Sequence, residues 1–260
     1  MKKILRMIDL AIRKQGLKPI FYVIGGSDIY GFKSNNGSDT DVRGFHIAPN
    51  ERFYKISPPK EQIIVNQGNT TQGFESFEDI ELVSYELRKF GKLLYKMNFN
   101  ILEWLFCGKH LINGIPLQID VLKREILKQL PSCVPYHYLG MAKQNYYKFL
   151  NNNKASYRPE AKKFLYVLRG LLAGKNVYNN KTIESDITKL SNHQIIKDLI
   201  KEKRKHEKQS LPDYLEARAR EAIFVLFEEV ANYTKKPPST NFRDYIDSWM
   251  MKVRIKEKLG

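Results

Sequence analysis

Two short strings near the start of the chain hold residue types suited to phosphate chemistry. They are Ile24-Gly25-Gly26-Ser27-Asp28-Ile29-Tyr30-Gly31 and, about a dozen residues later, Ser38-Asp39-Thr40-Asp41-Val42-Arg43-Gly44. An apolar run that stops at Gly-Gly-Ser and enters a short helix lets the backbone approach an anion closely, and it aims N–H groups and the Ser27 hydroxyl at a phosphate. The same Gly-Gly-Ser is also a good turn in its own right. Asp39 and Asp41 stand one residue apart. On a strand their side chains leave the same face, with α-carbons roughly 7 Å from each other. Two carboxylates aimed at one point repel, so the arrangement calls for a cation between them, and oxygen-only ligands favour Mg²⁺ or Mn²⁺ over zinc. A solvated Ser-Asp-Thr-Asp turn is the alternative. An anion-binding loop followed by a divalent-ion diad suits a nucleoside triphosphate bound with its metal.

These residues resemble a known superfamily. Gly-Ser-x-x-x-Gly followed by Ser-Asp-x-Asp is similar to the signature of the DNA polymerase β-like nucleotidyltransferases, and the run from Gly25 to Ile47 resembles the branch associated with RNA repair and RNA ligase. Downstream, Tyr85-Glu86-Leu87-Arg88-Lys89-Phe90, Asn98-Phe99-Asn100-Ile101-Leu102-Glu103 and the segment from Lys162 to Arg169 are similar to that branch as well, so the likeness covers roughly residues 18 to 175. The resemblance implies that Gly26, Ser27 and Tyr30 bind the nucleotide, with the Gly-Ser pair on its triphosphate, and that Asp39 and Asp41 bind metal. It implies a third carboxylate on a later strand. Glu81 occupies that position where aspartate is commoner, and Asp79, two residues earlier, is the rival. Asp28 is a second departure, because a carboxylate directly after the Gly-Ser repels a triphosphate unless it points away or reaches a metal.

The implied reaction is in-line attack of an acceptor hydroxyl, above all an RNA 3′ end, on the α-phosphate of an NTP such as ATP, with pyrophosphate leaving. Two Mg²⁺ or Mn²⁺ ions held by Asp39, Asp41 and Glu81 are implied with it. Nucleotidylylation of a protein hydroxyl, of the AMPylation type, is one alternative, and a non-catalytic nucleic-acid-binding module is another.

The elements that must position these residues follow from periodicity. Ile4, Ile8, Ala11 and Ile12 predict an amphipathic helix over 3–15. Strands are predicted at 19–24, 40–47, 63–65 and 80–83, confined to the first third. Beyond Ser84 the pattern is helical: 84–97, 99–107, 116–129, 138–151, 159–173, 193–208, 213–233 and 241–257, punctuated by turn signals such as Asn98, Pro131 and Pro212. The expectation is an α+β protein: a small nucleotidyltransferase-type mixed sheet flanked by helices over residues 1–110, then a mainly helical domain over 111–260. In the helical part Lys162, Tyr166 and Arg169 recur at i, i+4 and i+7. They share one helix face, either presenting two cations and a phenol to a cleft or forming the solvated edge of an ordinary amphipathic helix. The resemblance favours nucleotide binding by all three.

The whole chain agrees with a polyanionic partner. Its 260 residues carry a formal charge of +16, divided as +5 over residues 1–140 and +11 over 141–260. The run from Lys201 to Lys208 is a solvated helix or part of an RNA track, and Tyr146, Tyr147 and Tyr157 are core residues or base-stacking platforms. Only Cys107 and Cys133 are present, which excludes a disulfide framework or a cysteine zinc site. His46 reads as structural. Arg6, Asp9 and Arg13 interrupt any signal-peptide core and no membrane span follows, so a cytoplasmic protein is expected.

Overall fold

A computed structural model describes residues 2–33, 39–68, 70–77, 79–108, 110–113, 118–151, 158–206, 209–234 and 236–258. Ser38, Asn152, Asn153, Tyr157, Glu207, Lys208 and the expected turn at 114–116 lie outside them. In chain order the elements are α1 (Lys2–Lys14), β1 (Lys18–Ile24), β2 (Thr40–Ile47), β3 (Gln62–Val65), β4 (Ile80–Glu86), α2 (Leu87–Tyr95), α3 (Phe99–Phe106) and β5 (His110–Asn113). The rest are helices: α4 (Ile119–Asn145), α5 (Ala161–Asn180), α6 (Ile187–Leu190), α7 (Gln194–Lys205), α8 (Asp213–Glu229) and α9 (Thr240–Lys258). This is the expected α+β class.

The chain forms two compact units that interleave in sequence. One comprises Met1–Gly26, Asp39–Glu125 and Pro238–Gly260; the other comprises Ser27–Ser38 and Ile126–Pro237. These differ from two contiguous domains meeting at 110/111. The first unit takes back the last helix, and the second takes the segment directly after Gly26.

In the first unit the five strands form one mixed sheet in the order β3-β4-β2-β1-β5. β2 runs parallel to β4, with Asp41 opposite Glu81, and the other neighbours are antiparallel. Apolar residues on alternate positions load both faces. Ile8 and Ile12 of α1 share a core with Tyr22, Val42, Ile63, Val65 and Leu82. On the opposite face, the Phe45 and Phe90 rings stack at 4.2 Å, and Trp249 of α9 lies 6.3 Å from Phe45. Helices α2 and α9 approach closely at Gly91, where a β-carbon would strike Met250.

Arg254 ties α9 down. It donates to Glu86 at 2.5 Å and to the Ala48 carbonyl at 3.2 Å, while Glu86 caps α2 by accepting from the Arg88 N–H at 2.7 Å. The sheet also encloses a polar chain, with the Tyr22 hydroxyl 2.6 Å and His46 Nδ1 2.8 Å from the Ser84 hydroxyl. Burial pushes the Tyr22 phenol upward and the His46 imidazole down to about 3.

Two expectations need correction. Strands are not confined to the first third, since β5 extends the sheet beside β1. Its four residues are too short to show a period. Nor does Pro131 end a helix: α4 runs unbroken through both Pro131 and Pro135. Burial of Leu130, Val134, Tyr138 and Ala142 along it outweighs the missing N–H donors. The second unit is a helical core built on the apolar face of α5, with Phe164, Leu165, Leu168 and Leu171 against Ile196, Leu199, Leu215 and Ile223.

Candidate active site

β1 delivers the chain to Gly25, whose N–H donates to the Asp41 carbonyl at 2.8 Å, so the glycine loop begins as an extension of the β1–β2 ladder. Gly26 then takes a left-handed conformation with φ +59°, and a β-carbon there would collide with the Asp41 carboxylate. Glycine at 26 is therefore required twice over, by its backbone and by the acid packed against it. The short helix that follows is a single 3-10 turn over Gly26–Asp28, and Ile29 and Phe32 are buried after it. Asp28 forms an ion pair with Lys33 at 2.8 Å.

Asp41 lies on β2 and Glu81 on β4, opposite each other in the parallel register. Their carboxylates converge on one atom: Arg43 Nη2 donates to Asp41 Oδ1 at 2.5 Å and to Glu81 Oε1 at 2.8 Å, while Nη1 donates to the Glu81 carbonyl at 3.0 Å. A planar guanidinium is suited to such a fork. Arg43 is the residue the sequence reading missed. The signal was available, because Arg43 follows Asp41 by two on a strand and so leaves the same face. The adjacent Tyr85 phenol is pushed upward, chiefly by burial, with Arg43 opposing.

Asp39 is exposed and stands one residue ahead of β2, whose bounds are those expected from the sequence, so strand alternation does not carry it to the face of Asp41. Asp79 also stands outside its strand, in a left-handed conformation with φ 58°, and its carbonyl accepts from the Thr40 N–H at 2.7 Å. Strand alternation therefore does not carry Asp79 to the face of Glu81, and of these two carboxylates Glu81 is the one beside Asp41. Among the described residues no three metal-ligating side chains already form a cluster. The chemistry of the pair nonetheless fits a hard divalent cation, since carboxylate oxygens from two strands meet at a single positively charged atom.

The second unit brings together Tyr30, Tyr166 and Arg169. The Arg169 guanidinium lies 3.7 Å from the centre of the Tyr30 ring, and Tyr166 meets Tyr30 and Phe32 edge-on at 6.0 and 5.5 Å. Arg169 departs from a phosphate-facing position: it is 1% exposed and supports the Tyr30 ring from beneath. Lys162 is half-buried and makes no ion pair among the described residues. Ser185 and Ile187 fasten the loop segment to this unit, donating to the Ile29 and Tyr30 carbonyls at 3.0 and 3.1 Å. Ser27 follows Gly26 at the point where the chain passes from one unit to the other.

Known proteins are similar to this chain in sequence. The chain is 30% identical over 190 residues to the uncharacterized protein YcgL of Bacillus subtilis (strain 168), and 39% identical over 98 residues to the uncharacterized protein MJ0002 of Methanocaldococcus jannaschii. The matched segments are 72% and 37% of this chain, and they span 66% and 36% of those relatives' own lengths, in both cases less than two thirds. A solved structure of a nucleotidyltransferase-like protein from Exiguobacterium sibiricum aligns over 86% of this chain and 74% of that one, with 12% identity and a TM-score of 0.31. The sequence pattern of the RNA repair pathway DNA polymerase beta family matches residues 1–252. With the glycine loop and the paired carboxylates lying inside that nearly complete match, the chain belongs to the RNA repair pathway DNA polymerase beta family, within the polymerase β-like nucleotidyltransferases.

Proposed function

We propose that the protein transfers a nucleoside monophosphate from an NTP to the 3′ hydroxyl of RNA. The oxygen–phosphorus bond to the acceptor forms at the α-phosphate as the bond to the β-phosphate bridging oxygen breaks, and pyrophosphate carries away that electron pair. The observation that carries this reading is the convergence of Asp41 and Glu81 on Arg43 Nη2, at 2.5 and 2.8 Å, with Gly26 packed against the same Asp41 carboxylate.

Asp39, Asp41 and Glu81 would hold Mg²⁺ or Mn²⁺, which supplies charge stabilisation for the attacking and leaving oxygens. The chain's own groups do the remaining work. Glu81 accepts the proton of the acceptor hydroxyl, since a carboxylate with one oxygen engaged by a guanidinium keeps a second for a proton. Gly26 and Ser27 supply the backbone N–H and hydroxyl that receive the triphosphate. Arg43 is a positioning residue that fixes the carboxylates. Within the second unit Arg169 holds the Tyr30 ring in place, and nucleotide binding by Tyr30, Tyr166 and Lys162 is what the family resemblance implies.

The test supplies each α-labelled NTP with Mg²⁺ to the protein and two RNAs, one with a free 3′ hydroxyl and one blocked there. The expected result is label on the free-ended RNA alone, with one pyrophosphate released per nucleotide added. Equal labelling of the blocked RNA, or label confined to protein, would overturn the acceptor assignment.

A further inference from the structure

The strongest unassigned feature is a basic groove along α7. A cavity of about 550 Å³ is lined by Lys197, Lys201, Arg204 and Lys205 of this helix and by Ser191 and Asn192 ahead of it. At about 100° per residue the four cations fall within roughly a quarter to a third of the helix circumference. At about 1.5 Å per residue they extend over roughly 12 Å of its length. All four are exposed, and none forms an ion pair among the described residues.

Of the two acids on α7, Asp198 and Glu202, the first is already engaged: it accepts from Gln194 at 2.8 Å and from Arg218 at 3.2 Å. The stripe cannot turn inward. Ile195 and Leu199 are buried in the core on the other side of α7, Ile196 and Ile200 are buried along the edge of the groove, and Lys203 is buried with its ammonium 5.9 Å from the Phe32 ring. Exposed like charges held together in a groove repel one another and lower the local potential for anions.

We infer that this groove binds the sugar-phosphate backbone of single-stranded RNA, an inference that rests on RNA being the acceptor. Cations spaced along an axis match a chain of phosphates better than a single anion, and the concavity suits a strand. An anionic membrane is disfavoured because the apolar face that would insert is spent on the core. Ser191 and Asn192 add neutral donors for phosphate or ribose oxygens. The contacts are to backbone, so binding is indifferent to base sequence and strongly dependent on salt.

The experiment measures binding of a labelled single-stranded RNA by fluorescence anisotropy across a NaCl series, for the wild type and for the triple variant K197E/K201E/R204E. The charge-keeping companion variant is K197R/K201R. The triple variant is expected to lose at least thirtyfold in affinity, and its log–log salt slope should shrink by about 2, at roughly 0.7 per phosphate contact. The Arg variant should bind like wild type, and all should share one melting temperature. Wild-type affinity and slope in the triple variant would overturn the groove assignment, as would loss of binding only to phosphatidylserine vesicles. Weakened RNA binding without nucleotide transfer to RNA would uphold the groove and remove the acceptor reading. Transfer to RNA with unchanged binding in the triple variant would do the reverse.

Discussion

At the scale of single residues, the site depends on two contacts that composition does not reveal. Asp41 is held by Arg43 on one side and by the α-carbon of Gly26 on the other. Gly26→Ala places a side chain in a left-handed conformation, at a cost of about 1–2 kcal/mol, and drives it into the carboxylate. Nucleotide transfer is expected to fall at least a hundredfold while the far-ultraviolet spectrum stays native, which steady-state kinetics and circular dichroism together check. Arg43→Lys keeps the charge and loses the fork, so kcat should drop about ten- to a hundredfold with a smaller change in KM. The Asp-x-Asp and Gly-Ser pairs were readable from residue types alone. The same-face reading of Asp39 and Asp41 required both on one strand, and the strand expected at 40–47 already left Asp39 outside it. Likewise the spacing of Lys162, Tyr166 and Arg169 assigns a common face without saying how deeply each residue sits, and depth is what separates Arg169 from a phosphate ligand.

At the scale of elements, β1 to β4 were legible from short β-branched and aromatic runs. Their pairing was not, since a parallel β2–β4 contact joins residues about forty positions apart and leaves no local signal. The same holds for α9, which reads as one more amphipathic helix and belongs to the sheet through Arg254 and Trp249. Arg254→Ala removes the guanidinium from Glu86, whose side chain is 3% exposed, and is expected to destabilise the sheet unit by up to about 3 kcal/mol in chemical denaturation.

His46 supplies a pH signature. Its folded pKa near 3 lies below the unfolded value of 6.5, so between these values the unfolded chain binds the extra proton. This contribution is complete above about pH 6.5 and is lost as pH falls toward 3, on the order of 1 kcal/mol per unit. Denaturation at pH 7 and pH 5 should show that slope in the wild type and a shallower one in His46→Asn, once the smaller variant's lower baseline is subtracted.

At the scale of the whole molecule, a charge of +16 first pointed to a polyanion of unspecified kind. The family membership narrows that to nucleotidyltransferase chemistry, and the exposed cations Lys197, Lys201, Arg204 and Lys205 of α7 give part of the excess a definite location. No helix among the described residues is long and apolar enough to cross a membrane. The central claim is that Asp41 and Glu81 form the working centre of a nucleotidyltransferase. The most direct test is transfer of α-labelled nucleotide to RNA by the wild type, Asp41→Asn and Glu81→Gln under identical Mg²⁺ and NTP concentrations. The account predicts robust labelling by the wild type and a loss of at least a thousandfold in each variant with RNA binding intact; full labelling by either variant would contradict it.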